Sequence, residues 1–221
     1  ILFASVKSYD CFLYLLNELS KDSITKMMDK VNVNGDNILI YSSKYNLKVF
    51  EFLLENFESK MLEIKDHINN DNKVYLYYLL DINIKYKNLF KIYDLLLKKE
   101  FINKNTLKIK CSDDKQLIFN CINIKYLFNK LFENKIIDEE ILSLRLNDKS
   151  IIYYLIDYYN IKNILNSDLI INLIRNNIIT ELDLYDFLKY FSFNYGNKLN
   201  SIIFSDIFSL GIIDLKIIIN K

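Results

Sequence analysis

The chain has 221 residues, 51% hydrophobic and 26% charged, the mixture of a folded protein with a core of its own. Its 29 Lys+Arg against 28 Asp+Glu leave a formal charge of +1, which excludes a global field that would gather nucleic acid or an anionic membrane surface. No apolar run reaches the roughly 18 residues of a membrane span, and no charged segment leads into a leader-like apolar one, so the expected setting is the reducing cytoplasm, with the nucleus left open.

Usage is skewed toward Ile, Asn, Lys, Leu, Tyr and Phe. There is no Pro, no Trp, a single Ala (Ala4) and three Gly. The favoured residues have A/T-rich codons, so the skew reads as genome base bias, and a missing Gly or Pro says little about which motif once stood there. Cys11, Cys111 and Cys121 are odd in number and far apart, which predicts reduced, small core residues and not a disulfide framework. The start at Ile1 and the apolar end "IIINK" lead to the expectation of a segment from a longer protein.

Taken in chain order, the segments echo one another. "DCFLYLLNE" at 10–18 matches "KVFEFLLEN" at 48–56, so residues 1–33 are expected to hold a partial or degenerate N-terminal repeat. "GDNILIY" at 35–41 returns as "DNKVYLY" at 71–77, "DDKQLIF" at 113–119 and "NDKSIIY" at 147–153; the second residues fall at 36, 72, 114 and 148, in steps of 36, 42 and 34. A second piece recurs as "NLKVFEFLLEN" at 46–56, "NLFKIYDLLLKK" at 88–99 and, more loosely, "IKYLFNKLFEN" at 124–134.

In 46–56 the apolar Leu47, Val49, Phe50, Leu53 and Leu54 fall on one face of a helix, as do Ile92, Leu95 and Leu96 in 88–99. The polar pairs Gly35-Asp36, Asp71-Asn72, Asp113-Asp114 and Asn147-Asp148 are turn-forming and helix-capping types. Each unit therefore reads as turn, short helix, break, longer helix. One such hairpin cannot bury its apolar face alone, so the expected fold is all-α, a helical-repeat solenoid of stacked helix-turn-helix units. Units are expected to start near 34, 70, 112 and 147 and to run through 34–177, with 178–221 a degenerate repeat or helical cap. The richness in Ile, Tyr and Phe supports a competing strand assignment, which the helical spacing of the repeats outweighs.

This pattern resembles the ankyrin repeat, with its turn, short helix and second helix ending in paired leucines. Asn34-Gly35 stands where that family has Asp-Gly, and Asn37-Ile38-Leu39-Ile40 stands where it has Thr-Pro-Leu-His. Ser42-Ser43 lies near its small alanines, and Leu47-Lys48-Val49-Phe50-Glu51-Phe52-Leu53-Leu54 matches its second helix. No unit carries Thr-Pro or the His, and Asn46 replaces the glycine of the break. "ELDLYDFLKYFSF" at 181–193 is similar in its amphipathic rhythm to C-terminal modules with which some viral ankyrin proteins engage ubiquitin-ligase adaptors; covering the end of the stack is its preferred role.

Chemistry is sparse. His67 is the only histidine and reads as a solvated loop or helix-end residue. Cys111 and Cys121 lack zinc-site spacing, and Cys121 aligns with the small Ser43. Gly35, Gly196 and Gly211 share no phosphate-loop window. The acidic pairs Asp113-Asp114 and Glu139-Glu140 are expected at a turn and a helix start. The tyrosines of "YLYYLL" and "IIYYLIDYY" are expected to pack helices with their hydroxyls in water rather than to stack bases, because single-strand binders interleave aromatics with Lys and Arg.

The expectation is thus a protein–protein interaction module, scaffold or adaptor, and not an enzyme. It needs no cofactor, metal or small-molecule substrate, and neither nucleic acid nor membrane is its partner. The ankyrin-like register implies that turn tips and first-helix faces meet a protein through Asp36, Asn37, Lys44 and Tyr45, then Asn72, Lys73 and Asp81. It continues with Asp114, Lys115 and Asn123, then Asp148, Lys149 and Asp157. The alternatives are a structural helical-repeat subunit of a larger assembly and a non-catalytic fragment of a larger enzyme.

Overall fold

The computed structural model describes residues 1–81, 89–112, 114–147, 149–151 and 154. These residues are mostly helical. The only strands among them are β1 (Arg145–Leu146) and β2 (Lys149–Ser150), an antiparallel hairpin, with one further bridge between Lys110 and Gln116. The segment 178–221, expected as a cap, lies outside the described residues. The chain divides into two compact units, Ile1–Lys130 and Leu131–Lys221.

Along the chain a short, a long and a short helix follow one another repeatedly. They are α1 (Leu2–Ser5), α2 (Tyr9–Glu18) and α3 (Lys21–Met28), then α4 (Ile38–Tyr45), α5 (Leu47–Asn56) and α6 (Glu58–Ile64). Next come α7 (Tyr75–Asp81), α8 (Leu89–Lys98) and α9 (Lys104–Lys108), then α10 (Leu117–Cys121), α11 (Lys125–Glu133) and α12 (Glu139–Leu142). The third helix of each set was not expected. α3, α6 and α9 are too short for a full apolar stripe, and they anchor through few residues: Ile24 and Met28, Met61, and Thr106 with Leu107.

In the first unit α4 packs on α7 and α7 on α10, while α2 packs on α5 and α5 on α8. The core lies between these rows. All five apolar positions foreseen for α5 are buried, as are Ile38, Leu39 and Ile40 on α4. On α8 the buried residues are Leu89, Ile92, Tyr93 and Leu96, so Tyr93 takes the inward place expected of Leu95. Tyr75 is also fully buried and donates its hydroxyl to the Phe101 carbonyl, 3.0 Å away, where a wet hydroxyl was expected. Tyr93 does the same toward Leu79 at 3.0 Å. Burial in the apolar interior pushes both phenols well above their ordinary pKa.

The turns between helix sets share a backbone geometry, which the sequence register aligns for Asn72 and Asp114 and misses by one residue in the first turn, where Gly35 and not Asp36 is equivalent. In 32–36 the Asn32 amide donates to the Asp36 carbonyl and the Gly35 amide to the Asn32 carbonyl. Asn69 with Lys73, and Asn72 with Asn69, repeat these bonds; so do Cys111 with Lys115 and Asp114 with Cys111. The equivalent residues Gly35, Asn72 and Asp114 all have positive φ, at 72°, 58° and 56°. Gly, Asn and Asp are the types that tolerate this conformation. Asn32 Oδ1 accepts from the amides of Asn34 and Asp36, and Asn69 Oδ1 from those of Asp71 and Lys73, so the side chain braces the loop.

The expected capping pairs build these turns instead of the helix ends. The α4 N-cap is Asn37, one residue after Asp36, and Asn37 Oδ1 accepts from the Ile40 amide at 2.8 Å. Asn46, which replaces the glycine of the break, caps α5 through the amides of Lys48 and Val49 and donates to the Val6 carbonyl at 2.9 Å.

A Cβ at Gly35 would lie 2.9 Å from the Asn70 backbone nitrogen in addition to requiring φ of +72°. Gly35→Ala is therefore expected to destabilise the protein by about 2 kcal/mol, whereas Asn72→Gly, at a like φ, should change stability by less than about 1 kcal/mol. Urea unfolding of the two variants measures the difference; equal losses would contradict a strict positive-φ, close-approach role for Gly35.

Candidate functional site

Asp36 was expected at an exposed tip, but its side chain is fully buried. The carboxylate accepts from Lys44 Nζ at 2.7 and 2.9 Å, from Asn69 Nδ2 at 2.7 Å and from Asn32 Nδ2 at 3.2 Å. A buried carboxylate without donors would be prohibitively costly, and three side chains from two turns and one helix supply them. Asn69 Nδ2 also donates to the Tyr78 hydroxyl at 3.0 Å. Burial lowers the Lys44 pKa, but the hydrogen bonds and charges of Asp36 and Tyr78 outweigh that effect and hold it above the ordinary lysine value.

The same cluster joins neighbouring turns. The Asn70 amide donates to the Asn34 carbonyl at 3.1 Å, and Asn37 Nδ2 to the Ile64 carbonyl at 2.8 Å. His67, expected in solvent, is half-buried at the end of α6, with Nε2 2.7 Å from the Gly35 carbonyl. A carbonyl only accepts, so Nε2 carries the proton in this arrangement and His67 serves as a strut.

Outside this buried network lies a run of rings and ammonium groups on α1, α4 and α7 and in the segments beside them. Phe3 meets Tyr41 edge-on with centroids 5.3 Å apart, and Tyr41 meets Tyr45, one helical turn on, at 4.5 Å. Lys7 Nζ lies 5.7 Å from the Tyr45 centroid, and Lys44 Nζ 4.3 Å from that of Tyr78. Tyr78 contacts Tyr77 at 5.7 Å, and Lys73 Nζ sits 4.3 Å from Tyr77 and 5.7 Å from Tyr78. Tyr41, Lys44 and Tyr45 are three and four residues apart, so they share one face of α4 and join the pieces into a ladder. Tyr45 is 54% exposed.

Of the residues that the repeat register singled out, the structure gathers Lys44, Tyr45 and Lys73 on this ladder, with Asp36 beneath. Asn37 turns inward as a cap and is buried. Asn72 and Asp114 are exposed positive-φ turn residues, and Asp81 is exposed at the end of α7. Lys115 is half-buried in the third turn, and Asn123 is exposed between α10 and α11. Lys149 belongs to β2 in the second unit. Asp148 and Asp157 lie outside the described residues. Phe3, Lys7, Tyr41 and Tyr78 were missed because each has a partner more than thirty residues away in sequence, and Tyr77, whose partners Lys73 and Tyr78 are local, was read only as a packing tyrosine.

No group of three or more His, Cys, Asp or Glu side chains suited to a metal occurs among the described residues, and no helix among them is long and apolar enough to cross a membrane. Cys111 and Cys121 are buried as expected, but Cys11 is exposed. Burial pushes the Cys121 thiol far above its usual pKa, which keeps it protonated and a poor nucleophile or ligand. No family model, curated protein or solved structure matches the chain.

Asp36→Ala is expected to cost about 3 kcal/mol, since it strips a buried ion pair of one member. Lys44→Met should cost at least as much, because Asp36 is sealed from water whereas the Lys44 side chain remains 14% exposed and can reach solvent. Chemical denaturation tests the order. Titration with a thiol-specific disulfide reagent should label Cys11 at once in the native protein, and Cys111 and Cys121 only on unfolding; rapid labelling of all three would contradict the burial.

Proposed function

We propose that this chain is a non-catalytic protein-interaction module, an ankyrin-like stack of helical repeats acting as scaffold or adaptor. The observation that carries this reading is the coincidence of two features. One is the turn geometry shared by 32–36, 69–73 and 111–115; the other is the row formed by α4, α7 and α10, on whose neighbourhood the exposed aromatic and cationic groups lie. Repeats that stack in this way present a continuous surface whose side chains vary freely while the buried network holds the backbone. Tyrosine at such a surface provides large contact area with little conformational entropy to lose, which is the property of interface hot spots. The mixed charge of the chain favours a protein partner over a polyanion.

Interaction should then concentrate on the ladder and not on the third helices. With a photo-crosslinking amino acid at Tyr45, irradiation in extract of the source cells is expected to yield discrete protein adducts. The same amino acid at Asp22, exposed on α3, should yield none. Recovery of the chain only as a fixed stoichiometric component of a larger complex, crosslinked equally from both positions, would favour a buried structural subunit instead.

A further inference from the structure

Asn34 and Gly35 form the only Asn-Gly pair of the chain. Folding accounts for one member of the pair and not for the other. At residue 35 a φ of 72° and the approach of the Asn70 backbone leave room only for glycine. Asn34 contributes its main chain alone: its amide donates to Asn32 Oδ1 at 2.9 Å and its carbonyl accepts from the Asn70 amide at 3.1 Å. The residue is exposed, and its side-chain amide joins none of the hydrogen bonds that brace this turn.

A free asparagine side chain followed by a residue without Cβ is the arrangement in which an amide nitrogen most readily reaches the side-chain carbon. The Gly35 nitrogen gives its proton to a solvent base and attacks Asn34 Cγ; the new N–Cγ bond closes a succinimide ring, and the Cγ–Nδ2 bond breaks to release ammonia. Water then opens the ring at one of its two carbonyls. Breaking the N–Cγ bond leaves Asp at position 34, whereas breaking the original peptide bond leaves isoaspartate, whose main chain runs through Cβ and Cγ. Water is the only reactant consumed.

We propose that Asn34 is a site of spontaneous deamidation which the closed first turn restrains, and that this turn accommodates the Asp product but not isoaspartate. The restraint comes from the Gly35 amide, which donates to the Asn32 carbonyl at 2.9 Å. Attack on the Asn34 side chain requires that bond to open, so the rate follows local unfolding of the turn. The second turn shows how Asp is accommodated. Its bonds repeat those of 32–36, and the residue equivalent to Asn34 is the exposed Asp71, whose amide donates to Asn69 Oδ1 at 3.1 Å. Isoaspartate instead adds a methylene to the main chain between Asn32 and Asp36. The bonds that close 32–36 then no longer fit, and the misplacement falls on the buried Asp36 carboxylate, whose donors Lys44 and Asn69 are fixed by other segments. This chemistry is independent of any partner.

The test incubates the full chain at neutral pH over a series of urea concentrations and follows residue 34 by peptide mapping with mass spectrometry. Labelling by an isoaspartyl methyltransferase separates isoaspartate from Asp. Asn34 is expected to convert ahead of every other asparagine in the unfolded chain, and at least about tenfold faster there than in the native protein. The Asn34→Asp variant should unfold at the same urea concentration as the parent. The isoaspartate form, isolated from aged protein by ion exchange, should unfold at a lower one. Conversion of another asparagine first, or none at Asn34, would overturn the site. A rate in the native chain equal to or above that in the unfolded chain would overturn the restraint by the turn. Destabilisation of Asn34→Asp as large as that of the isoaspartate form, or an isoaspartate form as stable as the parent, would overturn the discrimination between products.

Discussion

The buried carboxylate of Asp36 is the constraint on which the first unit depends. A charged group sealed from water must find donors or the fold loses several kcal/mol. Asp36 finds them in three places: Asn32 in its own turn, Lys44 in the last turn of α4, and Asn69 in the following turn. Satisfying it therefore sets the register of one turn against the next, and the bonds from Asn70 to Asn34 and from His67 to Gly35 follow along the same seam. The network also reaches the surface. Lys44 is drawn inward by Asp36, and the same ammonium lies over the ring of Tyr78, so the ion pair that orders the turns also places the middle of the aromatic ladder.

The persistence of one turn geometry beneath changing residues has a simple cause. What the backbone requires is a residue that accepts positive φ, and Gly35, Asn72 and Asp114 meet that need with three different side chains. Asn tolerates the left-handed region and can brace its own loop through its amide. Asn32 and Asn69 do so in the first two turns, and Cys111 stands at the equivalent place in the third. The three turns thus differ in residues and share one set of torsions and bonds. The salt bridges Lys91 with Glu51 and Lys99 with Glu58 join residues some forty positions apart but each has one member well exposed to solvent, and they contribute less than the pair made by the fully buried Asp36.

The long second helices were legible because their apolar residues recur at helical spacing over enough turns to define a face; every one of Leu47, Val49, Phe50, Leu53 and Leu54 is buried. The short third helices escaped because a helix of five to eight residues shows too little periodicity to stand out. The inward turn of Asp36 and Asn37 escaped for a different reason. Polar residues in a turn are ordinarily solvated, and only the arrival of Lys44 and Asn69 from elsewhere makes burial tolerable. Tyr75 was legible as a helix-packing residue but not as a dry one, and the inward Tyr93 was not foreseen, since the carbonyls of Phe101 and Leu79 that receive their hydroxyls come from other turns of the chain.

By itself the sequence determined the helical character of the described residues, most of the positions that their longer helices bury, and the recurrence of polar turns at steps of 36, 42 and 34 residues. These are local properties, carried by the 3.6-residue period and by the few side chains that tolerate a left-handed turn. Tertiary structure alone decided which polar residues face inward and which lysines meet which tyrosines. Asp36 to Asn69, Lys44 to Tyr78 and Lys7 to Tyr45 are each separated by more than thirty residues. A pairing over that distance depends on how one helix set is laid against the next, and period and propensity are silent about that.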